Sequence, residues 1–343
     1  MKKIVLMLCT FIFVISLSGC KKDSMEDITI YTTTYPVEYI TSKLYGEYSN
    51  VSSIYPNEVI KLTDKLIRDY STGNLFVYNG LSDEKSYAVK MLNNNKDLMI
   101  VDATMGMEIE NSIEELWLNP SNFLMLCLNI RNGMKEYITN SFLRKQIDDE
   151  YDELKISISE LDAEIKLMVE NASNNNVLVS NDVFKYLEKY NLKVWSFEDN
   201  EALTDKVFAD VKELVDDKEI KYIIMMPNDN LSDRVEEFVN DNSIEKIYFD
   251  PLTTLSNENS KNGKDYISVM KDNIELLKKY LRILTPRERK IINMRYGLNN
   301  QEERTQKEIS KIMGISRSYV SRIEKRAITK ILREFIKNKN YSD

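Results

Sequence analysis

Thr305-Gln-Lys-Glu-Ile-Ser-Lys-Ile-Met-Gly-Ile-Ser-Arg-Ser-Tyr-Val-Ser-Arg-Ile-Glu-Lys-Arg-Ala327 reads as two helices around one tight turn. Thr305 is placed to cap the first helix, and Glu308 stands three residues on, as a capping box requires. Ile309, Ile312 and Met313 give that helix an inward face. Gly314 permits the turn, Ile315 packs beneath it, and Ser316 caps the second helix. Val320, Ile323, Ala327, Ile328 and Ile331 recur at helical spacing and form an apolar stripe. The face left outward carries Arg317, Ser318, Ser321, Arg322, Lys325 and Arg326. The pattern predicts a helix-turn-helix, in which one helix braces across the DNA backbone and the next enters the major groove.

Working outward, Thr285, Pro286 and Glu288 have the cap, first-turn and N3 spacing of a preceding helix. Ile291, Ile292, Met294 and Tyr296 supply its core face, and Gly297 ends it. A three-helix bundle with a merely solvated basic face would use the same residues. Caps, turn glycine and charge placement together favour the DNA-binding form. Residues 284–343 hold 15 Lys+Arg against 7 Asp+Glu, so they carry +8, while the rest of the chain carries −16. A basic end on an acidic body is the asymmetry expected of a nucleic-acid-binding domain.

The start of the chain points elsewhere. Lys2 and Lys3 precede a nearly unbroken apolar run from Ile4 to Ile15, then Leu17-Ser-Gly-Cys20. This is the order of a secretory signal peptide over residues 1–20. The run is too short to span a bilayer, whose hydrocarbon core is ~30 Å thick. Beyond Cys20 no apolar stretch reaches the ~18 residues a spanning helix needs. Of 3 cysteines, Cys9 lies in the signal and Cys127 sits in an apolar run, where it reads as a small buried hydrophobe. There is no histidine, which removes the commonest general base and transition-metal ligand. No nucleophile stands beside a base, and no enzyme chemistry is expected.

Between these ends, short apolar runs alternate with helical patterns. Strands are expected at Ile28–Tyr31, Val51–Tyr55, Leu75–Tyr78, Leu98–Val101, Val177–Ser180, Lys193–Ser196, Lys221–Met225 and Lys246–Phe249. Helices are expected at Val37–Tyr45, Val59–Tyr70 and Lys206–Asp216. The alternation predicts parallel α/β units, here occurring twice, as lobes at 27–145 and 176–281. Tyr151, Leu154, Ile158, Leu161, Ile165 and Met168 mark one face of a long joining helix at 146–172.

Several segments carry family resemblances. Ile28-Thr-Ile-Tyr-Thr-Thr-Thr-Tyr-Pro36, Leu75-Phe-Val-Tyr-Asn-Gly80, Leu116-Trp-Leu-Asn-Pro120, Val177-Leu-Val-Ser-Asn-Asp182 and Asp250-Pro-Leu resemble the solute-binding lipoproteins that deliver zinc or manganese to ABC importers. The resemblance implies a two-lobed α/β solute-binding protein joined by a long helix, with an ABC permease as partner. Leu17-Ser-Gly-Cys20 resembles a lipobox, implying lipidation of Cys20 and a membrane lipid anchor. At the positions of that family's metal ligands stand Glu58, Glu115, Asn181 and Asp250. An all-oxygen set suits hard cations such as manganese, calcium or magnesium and selects poorly for zinc. The same four residues also read as ordinary polar residues of a cleft.

Leu284-Thr-Pro-Arg-Glu-Arg-Lys-Ile-Ile-Asn-Met-Arg-Tyr-Gly-Leu298, with Thr305 to Lys330, resembles region 4 of sigma-70 family factors, nearest to the sporulation factors of Firmicutes. For residues 284–337 the resemblance implies recognition of the −35 promoter element and docking on the flap of the RNA polymerase β subunit. It implies that Arg317, Ser318 and Arg322 read bases and that Lys325, Arg326 and Lys330 hold phosphates. Thr305, Ser316 and Ser321 complete the expected DNA-binding set. Nothing resembles region 2, which melts the −10 element. The chain is therefore read as a fusion, with promoter binding in transcription initiation as its most specific activity. The alternative is an extracytoplasmic metal-binding lipoprotein whose sigma-like end does not function. The signal places the chain at the outer face of the cytoplasmic membrane; a working helix-turn-helix requires the cytoplasm.

Overall fold

The computed structural model describes residues 25–172, 175–217, 219–280, 286–298 and 302–339. The expected signal peptide with its lipidation site Cys20, and the expected cap Thr285, lie outside the described residues.

The first α/β unit runs β1 (Ile28–Thr32), α1 (Tyr35–Tyr45), β2 (Ser49–Ser53), α2 (Asp64–Tyr70), β3 (Leu75–Tyr78), α3 (Glu84–Asn94) and β4 (Met99–Asp102). Its four strands pair in parallel in the order β2-β1-β3-β4. Leu-Phe-Val-Tyr of β3 is buried at every position, as a continuous apolar strand covered on both faces must be. Tyr55, Ile67, Phe76, Tyr87, Met91 and Leu98 form the core on one side of this sheet.

Chain order reverses between β1 and β3, so the chain leaves the carboxyl ends of these two strands in opposite directions. Thr33, Thr34, Asn79 and Glu84 are all buried there. The Asn79 N–H donates to Glu84 at 3.2 Å. Burial pushes the Glu84 carboxyl up to about 7 from its ordinary 4.5. The Thr33 hydroxyl lies close enough to oppose that rise, without reaching hydrogen-bond geometry.

Helices α4 (Glu115–Leu118), α5 (Pro120–Tyr137) and α6 (Ser141–Asn171) follow. Helix α5 lies close on β4 because Gly133 has no side chain; a Cβ there would meet Val101 Cγ1 at 2.6 Å. Cys127 on α5 is fully buried, and burial pushes its thiol up. Helix α6 has 31 residues and begins earlier than its apolar stripe predicts, at Ser141. Tyr151, Leu154, Ile158, Leu161, Ile165 and Met168 are all buried along it. By contact density the chain forms two compact units, and α6 passes from one to the other after Ser157.

In the second unit come β5 (Asn176–Val179), a 3-10 segment (Asp182–Tyr190), β6 (Lys193–Ser196), α7 (Asp205–Asp216), β7 (Tyr222–Met225), α8 (Asp233–Asp241) and β8 (Glu245–Tyr248). The strand order β6-β5-β7-β8, again parallel, repeats that of the first sheet. Phe197, Phe208 and Phe238 pack ring to ring with centroids 4.9 to 5.4 Å apart. Trp117 of α4 donates through Nε1 to the Pro251 carbonyl at 2.7 Å. The Tyr266 hydroxyl donates to the Trp117 carbonyl. These two bonds tie residues 110–120 into the second unit. Helices α9 (Asn257–Lys261) and α10 (Tyr266–Tyr280) complete the α/β body.

Three further helices, α11 (Pro286–Tyr296), α12 (Gln306–Met313) and α13 (Arg317–Lys339), enclose a small core of Ile291, Met294, Ile309, Val320 and Ile323. Glu324 is buried among them, only 7% exposed. Its carboxylate accepts from Arg295 Nε at 3.2 Å, the Tyr296 hydroxyl at 3.1 Å and Gln306 Nε2 at 2.9 Å. One side chain of α13 thus binds donors from both other helices.

Three expectations about side-chain direction are corrected, the first being Ile331, which is exposed at the end of the expected stripe of α13. Ile312 is exposed rather than inward, because the eight-residue α12 turns only Ile309 and Met313 toward the core. The Tyr296 ring is likewise exposed, reaching inward only through its hydroxyl.

Two measurements test this packing. A carboxyl raised on folding favours the native state below pH ~4.5, and that contribution is lost as pH rises through ~7. Urea denaturation of Glu84→Gln should therefore show wild type losing up to about 3 kcal/mol relative to the variant between pH ~4.5 and ~8. Parallel curves would contradict the burial of Glu84. Glu324→Ala should cost about 1–3 kcal/mol by stranding its donors. Hydrogen exchange should then speed up across residues 286–339 and leave the α/β body unchanged.

Candidate nucleic-acid interface

The turn between α12 and α13 is built from local chemistry. The Thr305 N–H donates to Glu308 Oε2 at 2.8 Å, and the Glu308 N–H returns to Thr305 Oγ1 at 3.3 Å. This reciprocal capping box satisfies two donors at the start of α12. The Thr305 N–H and hydroxyl hold the Glu308 carboxyl below the usual carboxylate range. Gly314 sits at φ +64°, where a side chain would be strained. Just after it, the Ile315 N–H reaches back to the Ser310 carbonyl at 3.1 Å. Ser316 Oγ then accepts from the Tyr319 N–H at 3.2 Å and starts α13.

Helix α13 divides into two faces. Val320, Ile323 and Ala327 are buried. Arg317, Ser318, Arg322, Lys325 and Arg326 are exposed, and Ser321 is half-buried. Apolar residues at i, i+3 and i+7 hold the helix down, so the cations between them must face out. Thr305 and Ser316 are also exposed, but their hydroxyls serve first as caps. The Lys330 side chain lies outside the described residues.

The expected DNA-binding set omits two residues of this surface. Tyr319 is 41% exposed, with Arg287 of α11 over its ring at 5.3 Å and Arg322 at 5.6 Å. Arginine guanidinium and tyrosine ring attract through the quadrupole of the ring. Sequence spacing alone could have flagged Tyr319, because it shares a face with Arg322 and Arg326 at i+3 and i+7. The part of Arg287 depends on the packing of α11.

The four expected metal residues are divided between the two units. Glu58 is an exposed loop residue of the first unit, while Glu115, Asn181 and Asp250 belong to the second. Glu115 is buried and accepts from the Asn111 N–H at 3.3 Å and from its side-chain amide. Asn181 spends its carbonyl on the Val183 N–H at 3.1 Å and its amide on Asp229 at 2.9 Å. Asp229 also accepts from the Ser180 hydroxyl and from the Met226 N–H at 2.7 Å. The Asp250 backbone is doubly bonded to the Asn273 side chain, at 3.0 and 2.9 Å. Among the described residues no three acidic or thiol side chains stand close enough to hold a metal ion.

Known proteins match both parts. The model of the zinc-uptake complex component A, periplasmic, matches residues 30–280, and that of sigma-70, region 4, matches residues 280–333. The chain is 26% identical over 309 residues to the manganese ABC transporter substrate-binding lipoprotein PsaA of Streptococcus anginosus, covering 80% of this chain and 97% of that protein. It is 48% identical over 86 residues to the RNA polymerase sigma-K factor of Bacillus subtilis, covering 24% of this chain and 28% of that protein. The chain thus spans less than a third of that sigma factor. Among solved structures, the Zn(II)-bound ZnuA-like domain of Streptococcus pneumoniae AdcA superposes with a TM-score of 0.57 at 22% identity, over 74% of this chain and 99% of that one. The metal-dependent lipoprotein YcdH of Bacillus subtilis gives 0.59 at 20% identity, over 74% and 99%. Likeness at this identity speaks for the fold. The chain belongs to the ZnuA family of zinc-uptake complex component A proteins, and that α/β body is followed by a sigma-70 region 4 domain.

Proposed function

We propose that residues 286–339 bind promoter DNA at the −35 element and dock on the β flap of RNA polymerase during transcription initiation. One observation carries this reading: five polar or cationic residues from Arg317 to Arg326 are exposed on the helix whose opposite face is locked into the core. Arg317, Ser318 and Arg322 lie where a recognition helix meets base edges. Arginine donors suit guanine O6 and N7. Lys325 and Arg326, further along, neutralise phosphates and fix register. The matched stretch is region 4, so recognition rather than strand melting is the activity proposed.

A second reading rests on the α/β body. That body is similar over nearly the full length of a lipoprotein. We infer from this, and from Leu17-Ser-Gly-Cys20, a lipid-anchored extracytoplasmic component that works with an ABC permease. Its cargo would be a hard cation such as manganese, calcium or magnesium, held through oxygen ligands. Among the described residues no helix is long and apolar enough to cross a membrane. A lipidated, exported molecule would keep its helix-turn-helix away from the chromosome, so the two activities belong to different molecules. Labelling cells with palmitate and fractionating them separates the readings. Lipid on the whole population sinks promoter binding; a cytoplasmic form supports it.

Binding of duplex DNA by the full chain, measured across salt concentrations, tests the first reading. Affinity should fall linearly with log salt, by about 0.9 in log–log slope for each phosphate contacted. Lys325→Ala with Arg326→Ala should flatten that slope by about 2. Arg322→Ala should cost about 1–3 kcal/mol and relax preference at one base pair. Affinity indifferent to salt would overturn the assignment.

A further inference from the structure

The reading face of α13 carries one feature that phosphate binding and guanine recognition leave unused. Tyr319 presents a large ring to solvent at 41% exposure, on a face otherwise made of serine, arginine and lysine. It belongs to the first turn of α13, beside Ser318, where a recognition helix approaches base edges most closely. The ring is not needed for the core, which Val320 and Ile323 fill from the neighbouring stripe. Nor does it hang loose: Arg287 and Arg322 lie over it with guanidinium carbons 5.3 and 5.6 Å from its centroid. A ring held by two cations loses little freedom on binding.

The apolar feature of the major groove is the 5-methyl group of thymine, and apolar side chains read it by contact. Resting on the reading of residues 286–339 as a DNA-binding module, we propose that Tyr319 is a base-contacting residue that selects thymine through its 5-methyl group. Specificity then extends beyond the arginine and serine positions to one A·T pair, read on its thymine strand. The contact needs the ring and not its hydroxyl.

The test replaces each thymine singly by deoxyuridine, which removes only the methyl. The duplex is one that the full chain selects from a randomised pool. At one position the replacement should weaken wild-type binding about fourfold, the effect of burying one methyl group. Tyr319→Phe, which keeps the ring, should retain that sensitivity. Tyr319→Ala should bind both duplexes alike while keeping the salt dependence of wild type. Equal sensitivity in Tyr319→Ala, or no sensitive thymine in wild type, overturns the proposal and leaves the DNA-binding reading standing. Absence of any salt-dependent duplex binding overturns both.

Discussion

The Glu324 carboxylate fixes the geometry on which the proposed activity depends. It projects from α13 and takes donors from Arg295 and Tyr296 of α11 and from Gln306 of α12. A buried carboxylate is costly unless its lone pairs are filled, so the three helices must stay where their donors reach it. The apolar stripe of Val320, Ile323 and Ala327 sets the inward face of α13, and the bonds to Glu324 hold it there. Together they leave Arg317, Arg322, Lys325 and Arg326 outward.

In the α/β body the governing constraint is topological. Parallel strands need crossover helices, and both sheets use the same order with one reversal between neighbouring strands. In the first unit the reversal gathers Thr33, Thr34, Asn79 and Glu84 at the carboxyl ends of β1 and β3. In the corresponding position of the second, Ser180, Asn181 and Asp229 lock one another. Asn181 also shapes its own loop, with its carbonyl capping the segment that starts at Asp182.

Much of this was legible in the sequence. Leu75–Tyr78 and Lys193–Ser196 are strands over the residues their patterns predict, because each is a short β-rich run bounded by turn residues. Gly314 and the Thr305–Glu308 pair announced their turn and cap through chemistry that acts within a few residues. The rest depends on contacts of longer range. The second strand lies at Ser49–Ser53 rather than Val51–Tyr55, because pairing with β1 from Ile28↔Ser49 onward sets its limits. Helix α2 begins at Asp64 and not near Val59, since Thr63 caps it and the Tyr87 hydroxyl accepts from the Leu62 N–H. The donors on Glu324 stand 18 to 29 residues away in sequence, and no local pattern reveals them. In the same way the place of Arg287 over the Tyr319 ring shows only once α11 is packed beside α13.

A ZnuA-type α/β body and a sigma-type helix-turn-helix share this chain, and in the function proposed DNA contacts the latter alone. Hydrogen exchange of the full chain, with and without a duplex it selects, tests this most directly. Exchange should slow in α12 and α13, centred on Arg317 to Arg326, with no change in the strands of either sheet. Protection of the sheets with none in α13 would contradict it.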